Sequence, residues 1–397
     1  MLSIPVKIFT SGRSIFQKKL RNAFGAVSVS VCLLLLVMPA FTSRQVPAKH
    51  DDVPQEITLL FMGDIMQHMP QVEAAWDGSK QCYDYDTCFS YVRSLIQGAD
   101  LAIANLETTL AGKPYSGYPA FSSPDELARG MINAGIDIAG TANNHCCDRG
   151  KTGIERTILI LDSLGLKHMG TYCDEAHYRQ ANPLIINKNG FRLAFLNYTY
   201  GTNGIPVPQG KVVSLIENER MINDLKAARD SQPDKIIAFI HWGEEYQRMP
   251  NSFQKETAQF LIENGADYII GSHPHVIQPM EWRKADSLNR EQIVVWSLGN
   301  YVSNQRNRYT DGGAMFSLKL KKQFGKTSVA DASYYLTWVY NPLSEGRRQY
   351  YILPAARYEN DTVFPDNSSR ITMKSFLEDS RKLLNDNNIN IHEARFE

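Results

Sequence analysis

Five stretches of this chain place metal-ligating or proton-transferring side chains directly after an apolar run. The clearest is Gly271-Ser272-His273-Pro274-His275-Val276, which follows the apolar residues 266–270. A buried strand ending in Gly-x-His-x-His can aim both imidazoles at one point. Neutral imidazole is the commonest protein metal ligand near neutral pH. Gly, Ser and Pro also suit a plain surface turn, so this stretch gains meaning from the other four.

Residues 57–62 are continuously apolar and lead into Gly63-Asp64-Ile65-Met66. An Asp just beyond a buried strand is a usual ligand position in α/β folds; capping the next helix is its other use. Leu101-Ala102-Ile103-Ala104 leads into Asn105-Leu106-Glu107, whose two oxygen ligands face one side if the strand continues. Residues 136–139 lead into Thr141-Ala142-Asn143-Asn144-His145-Cys146-Cys147-Asp148, which is too polar for a core, an Asn-rich turn being the alternative. Residues 235–240 lead into His241-Trp242-Gly243-Glu244-Glu245-Tyr246.

Asp64, Asn105, Glu107, Asn143, Asn144, His145, His241, His273 and His275 can therefore converge on one sheet edge. Carboxylate, amide and imidazole donors from five strand ends suit a two-metal hydrolytic centre. In such a centre activated water attacks phosphorus or a carbonyl, and a histidine protonates the leaving group.

The intervening sequence supplies the elements to hold these ends. Ser123-Pro124-Asp125-Glu126 starts a helix that Gly135 stops, and a second helix runs to Gly165. Asn189-Gly190 is a two-residue hairpin turn between residues 184–186 and 191–196. Helices are expected at 217–230 and 253–263. The aromatic, Gly-rich loop 198–206 is a candidate pocket wall. Alternation at 315–320, 332–339 and 349–353 predicts antiparallel strands, and a helix is expected over 373–384.

With 397 residues, 43% of them hydrophobic, the chain can bury a large α/β core. Lys+Arg and Asp+Glu are both 42, and this balance gives no argument for nucleic acid. Lys7, Arg13, Lys18, Lys19 and Arg21 precede an apolar run over 24–41. That pattern places residues 1–22 in the cytoplasm as a basic tail. Residues 23–41 read as an uncleaved anchor, because no clean small-x-small site follows, with a cleaved signal and a secreted or periplasmic product as the alternative. Residues 42–54 read as a linker, and the globular part is expected outside the cytoplasmic membrane. Export permits disulfides. Beyond Cys32 the cysteines are Cys82, Cys88, Cys146, Cys147 and Cys173, an odd number; Cys82 with Cys88 is the first candidate pair, and a soft-metal thiolate role for Cys146 and Cys147 fits less well, because the other candidate ligands are N and O donors.

Taken in order, Gly63-Asp64-Ile65-Met66, Asn105-Leu106-Glu107, Ala142-Asn143-Asn144-His145 with Asp148-x-Gly150, His241-Trp242-Gly243-x-Glu245-Tyr246, Gly271-Ser272-His273-Pro274-His275-Val276 and Ser297-Leu298-Gly299-Asn300 resemble the CapA family of capsule and poly-γ-glutamate synthesis. That family is related to the calcineurin-like metallophosphoesterases. The resemblance implies a four-layer αββα sandwich of metallophosphoesterase type over 55–305, with 306–397 as a β-rich extension plus a terminal helix. It implies Asn144 as a ligand and His145 as the acid, alongside metal ligands Asp64, Asn105, Glu107, His241, His273 and His275. Two divalent ions (Mn, Zn or Fe) would be the cofactors. The substrate would be an anionic polymer or a phosphoester, and the partners the membrane and a capsule synthesis or export complex. One departure matters: the Asp-x-His of metallophosphoesterases reads Asp64-Ile65-Met66 here, and His68 is out of step by two residues. A metal-dependent hydrolase and a non-catalytic assembly or export subunit are therefore both expected readings. A purely structural surface protein fits less well, because polar strand ends are costly unless used.

Overall fold

The computed structural model describes residues 53–284, 290–344, 346–362 and 364–394. The expectations for residues 1–41, and nearly all of the linker, lie outside them. Among the described residues no helix is long and apolar enough to cross a membrane.

The chain begins with β1 (Gln55–Ile65), α1 (Met69–Ala74), α2 (Arg93–Gln97), β2 (Leu101–Leu106), α3 (Glu126–Ala134), β3 (Ile138–Gly140), α4 (Gly150–Leu164) and β4 (Lys167–Met169). It continues through the hairpin β5 (Leu184–Lys188) and β6 (Phe191–Thr199), then α5 (Asn218–Asp230), β7 (Lys235–His241), α6 (Ser252–Glu263) and β8 (Tyr268–Ser272). It ends with β9 (Met280–Arg283), β10 (Gln292–Val295), β11 (Asn300–Val302), β12 (Gly312–Gln323), β13 (Lys326–Tyr340), β14 (Tyr351–Pro354), α7 (Asn367–Asn387) and β15 (His392–Glu393). At the β5–β6 turn Asn189 and Gly190 both have positive φ, 50° and 79°, as a type I′ turn requires. Gly135 and Gly165 end α3 and α4 in the left-handed conformation.

Two sheets result. The larger has the order β14-β13-β12-β1-β2-β3-β4, with β11 beside β1 and β15 beside β13; the smaller has the order β9-β10-β8-β7-β6-β5. The C-terminal strands β12, β13 and β14 are thus continuous with β1 in one sheet. Strand alternation explains how the sheets stack. Leu59 and Phe61 of β1, Ile103 of β2, Phe195 of β6, Phe239 of β7 and Ile270 of β8 share one core. Leu60, Met62, Ala102 and Ala104 turn the other way, onto Ile96, Leu127, Met131 and Leu161 of α2–α4. Ala194, Leu196, Ala238 and Ile269 pack likewise on Leu225 and Leu261 of α5 and α6. The layers are therefore helix, sheet, sheet, helix. Each buried Phe, Leu or Ile contributes roughly 1.5–3 kcal/mol, and the central layer draws on both sheets, so neither sheet can keep its inner face alone.

One cysteine expectation is corrected. Cys82 and Cys88 are both free. Cys88 is buried in the helix-side core, where desolvation pushes its thiol up to about 12. Cys146 and Cys147 pack with Ile154, Ile158 and Val213 in a small apolar cluster instead of facing the hard donors.

Candidate metal centre

Parallel pairing sets the strand ends level. Asp64 is registered with Asn105, and Asn105 with Gly140. In the other sheet His241 is registered with Ser272. Period two alone gives Asn105 and His241 the same inter-sheet face as Ile103 and Phe239. It would turn Asp64 to the helix side with Met62. A bulge prevents this: Met62 opposes Ala104 and Asp64 opposes Asn105, leaving Gly63 as the extra residue. Only glycine fits there, since a Cβ on Gly63 would lie 2.0 Å from Gly299 O. Asp64 thereby faces the partner sheet, and its N–H donates to Gly299 O at 3.0 Å.

The two sheets meet through polar contacts at this edge. Asn105 Nδ2 donates to Asp64 Oδ1 at 2.7 Å and lies 3.2 Å from His241 Nδ1. In this orientation Asn105 holds its neighbours as a donor; an amide rotated by half a turn would present oxygen to the same point. Asn144 Oδ1 sits 2.9 Å from His241 Nε2, and Asn144 Nδ2 donates to Asn203 Oδ1 at 3.2 Å. Ser272 Oγ is 3.0 Å from His241 Nδ1. His275 Nδ1 lies 3.2 Å from Asp64 Oδ2 and 3.1 Å from Asn300 Oδ1. The His273 N–H donates to Asp64 Oδ2 at 3.3 Å. His273 and His275 hold φ of 98° and 58°, a region that non-glycine residues enter at a cost of order 1–3 kcal/mol.

Glu107 lies between these groups. Its side chain is fully buried, and its Oε1 is 3.6 Å from His241 Nε2 and 3.8 Å from His275 Nε2. Neither carboxyl oxygen accepts a hydrogen bond from a donor in the protein, its contact with Asp64 being carboxyl to carboxyl, and His273 Nδ1 has no partner. Buried polar atoms are ordinarily paired, so three unpartnered atoms on two clustered side chains make this a candidate cation site. Glu107 also belongs to both ligand groupings, with His273 and His275 and with Asp64 and His241, in each of which the donor atoms lie within 4.8 Å of one another. Burial, then the neighbouring Asp64, pushes the Glu107 carboxyl well above its ordinary range. Burial, then the neighbouring histidines, holds the imidazoles of His241 and His273 well below theirs, so both are neutral and able to ligate. The donor set of carboxylate, amide and neutral imidazole fits divalent first-row metals.

His145 stands apart from the ligand groupings. Its Nδ1 donates to Asp148 Oδ2 at 2.7 Å, and the same oxygen accepts the Phe121 N–H at 2.7 Å. The Phe121 ring meets His145 edge-on at 4.6 Å. This pairing fixes the ring and leaves Nε2 for proton transfer. Tyr200, from the loop expected to wall a pocket, lies over His273 with centroids 4.5 Å apart.

Several participants were not singled out from sequence. Asp148 and Asn300 lie in stretches that were noted, yet only tertiary contacts reveal what they touch. Asn197 was missed; its Oδ1 accepts from Ala142 N at 2.8 Å and its Nδ2 donates to Phe239 O at 3.0 Å, tying the loop after β3 to the second sheet. An amide inside the apolar run of β6 was its available signal. Met66 is buried and bonds through its backbone to Val302. His68 is not in line with Asp64 but packs edge-on against Phe121 at 5.4 Å.

Comparison with known proteins adds the family. The chain is 26% identical over 320 residues to the "Capsule biosynthesis protein CapA" of Bacillus anthracis, covering 77% of this chain and 74% of that one. It is 24% identical over 317 residues to the "PGA biosynthesis protein CapA" of Bacillus subtilis strain 168, covering 77% and 79%. Among solved structures it is similar to the NAD nucleotidase NadN of Haemophilus influenzae (13% identity, TM-score 0.47, 87% of this chain and 65% of that one). It is also similar to the calcineurin-like phosphoesterase YfkN of Bacillus subtilis (15% identity, TM-score 0.42, 83% and 99%). The profile of the family described as "Bacterial capsule synthesis protein PGA_cap" matches residues 58–305, and the chain belongs to that family.

Proposed function

We propose that the chain is a metal-dependent hydrolase of capsule-polymer biosynthesis, acting on a phosphoester or γ-glutamyl bond. The observation that carries this reading is the buried Glu107 carboxyl, which accepts no donor in the protein, among Asp64, His241, His273 and His275. Asp64, Glu107, Asn144, His241, His273 and His275 would hold one or two divalent ions, with Asn105 as donor or ligand. When bound, such ions supply Lewis acidity and an activated water. The protein's own part is positional. Asp148 orients His145, which holds a proton at Nε2 for the leaving group. Tyr200 screens His273 from solvent, and the His273 N–H fixes Asp64. In this proposal the N-terminal segment anchors the chain, the folded part works outside the cytoplasmic membrane, and its partners are the polymer and the capsule machinery.

A second reading, a non-catalytic assembly or export subunit, is favoured by Met66, a poor ligand at the position two after Asp64. The experiment that separates them is metal analysis of the purified full-length chain with turnover of a generic phosphodiester and of γ-glutamyl substrates. Bound metal with turnover, both lost in His273→Ala, is expected. Metal-free folded protein, or turnover indifferent to that substitution, would leave the assembly reading.

A further inference from the structure

One ring nitrogen of His275 lies between two oxygens: Nδ1 is 3.1 Å from Asn300 Oδ1 and 3.2 Å from Asp64 Oδ2. Whether that nitrogen carries a hydrogen depends on which end of the Asn300 amide faces it, and the other neighbours of Asn300 decide the end. Asn300 Nδ2 donates to Thr310 O at 2.8 Å and to Gln305 Oε1 at 2.9 Å. A backbone carbonyl can only accept, so the amide atom facing Thr310 is nitrogen and the one facing His275 is oxygen. Asp64 Oδ2 is an acceptor too, since it takes the His273 N–H at 3.3 Å. A ring nitrogen between two acceptors holds the hydrogen. In a neutral imidazole the lone pair is then on the other nitrogen. That atom, His275 Nε2, is the one turned towards Glu107, 3.8 Å from its Oε1.

The fold builds this contact from two directions. Ser297 Oγ accepts the Gly299 N–H at 3.2 Å, and Asn300 then opens β11 in parallel register with Asp64. A turn over 307–310, in which Thr310 N donates to Asn307 O at 3.0 Å, brings the Thr310 carbonyl back to Asn300. Asn300 and His275 are both buried. The backbone of His275 sits at a φ of 58°, so its ring direction needs a partner that holds it. We propose that Asn300 is a positioning residue: it fixes His275 as the Nδ1–H tautomer, so that Nε2 is the atom this histidine offers to a cation. This rests on the metal reading above and names the donor atom within it. Asn300 itself spends both ends of its amide on protein partners and supports a ligand without joining the ligands.

The test reads the tautomer directly. The full-length chain, isotope-labelled at its histidine nitrogens and treated with chelator, gives long-range proton–nitrogen NMR correlations whose pattern differs between the Nδ1–H and Nε2–H forms. His275→Gln assigns the signal by its loss. Wild type in mildly alkaline buffer is expected to show the hydrogen on Nδ1. Asn300→Leu is expected to mix the two forms and to weaken the binding of Mn(II), followed by calorimetry, about 10–100-fold. Asn300→Asp keeps an oxygen facing Nδ1, and should keep the tautomer and most of the affinity. Gln305→Ala loosens the same loop but leaves the Thr310 contact, and should keep both as well. The proposal is overturned if wild type carries the hydrogen on Nε2, or if folded Asn300→Leu protein keeps the wild-type tautomer and affinity. It is overturned equally if Asn300→Asp mixes the two forms as Asn300→Leu does, which would make Asn300 a support of the loop alone. Wild type that takes up no Mn(II), Zn(II) or Fe(II) would end the hydrolase reading, while an Nδ1 hydrogen seen in chelator would still establish the role of Asn300.

Discussion

Glu107→Gln isolates the physical claim on which the metal centre rests. The substitution preserves shape and burial while removing the carboxyl that accepts no donor in the protein and that a cation would hold ionised. A ligand that binds only the folded state stabilises it by about 2.7 kcal/mol at a hundred times Kd. The described fold runs between residues 53 and 394, about 340 residues, for which an unfolding entropy of about 2.1 cal/mol/K per residue gives a rise in Tm of about 4 °C. Losing an orienting partner alone weakens metal binding about 10–100-fold, so losing a shared ligand should reach at least the upper figure. At the same metal concentration the variant would then stand near its own Kd, where stabilisation falls to about 0.4 kcal/mol and the shift to under ~1 °C. In chelator the variant should melt no lower than wild type, because the neutral amide relieves a buried carboxyl that accepts no donor. The assay is thermal unfolding with added Mn, Zn or Fe against chelator. Equal metal shifts in both proteins, or none in wild type, would refute the reasoning.

Three further outcomes are expected. His145→Gln should lower turnover about 10²–10⁴-fold with metal content unchanged, and Asp148→Asn should lower it less; single-turnover kinetics with metal analysis checks both. Gly63→Ala should destabilise the fold by roughly 1–3 kcal/mol or more, since its Cβ meets Gly299 O at 2.0 Å; thermal unfolding in chelator reads this apart from metal loss. For His168, burial lowers the imidazole and the Asp162 hydrogen bond opposes it. The folded state therefore refuses a proton that the unfolded chain accepts, so stability is present above about pH 6.5 and lost as pH falls toward the lowered folded value. His168→Gln should flatten the decline of Tm between pH 7.5 and 5.5, read by thermal unfolding across that range.

Much of the site could be read in sequence because it sits at strand ends. A polar residue closing an apolar run has few structural uses, and strand alternation alone put Asn105 and His241 on the faces of Ile103 and Phe239. The helix stops at Gly135 and Gly165 and the Asn189-Gly190 turn were equally local, each being a residue whose backbone freedom suits the conformation it adopts. Local chemistry does not specify partners distant in the chain. Asp148 could be read as polar, but its grip on His145 and on the Phe121 N–H needs the loop folded over it. Cys82 and Cys88 are close in sequence yet unpaired, because Cys88 packs into the helix-side core.

What the amino-acid sequence determined by itself was the set of donors and the periods that bring most of them to one edge. What tertiary structure alone decided was their aim. The bulge at Gly63 reverses the face that period two assigns to Asp64, and it admits only glycine because the chain at Gly299 passes too close for any side chain. The positive φ of His273 and His275 turns both rings inward after β8. Glu107 is left without a protein donor only because two sheets, each needing the other to bury its inner face, close around it.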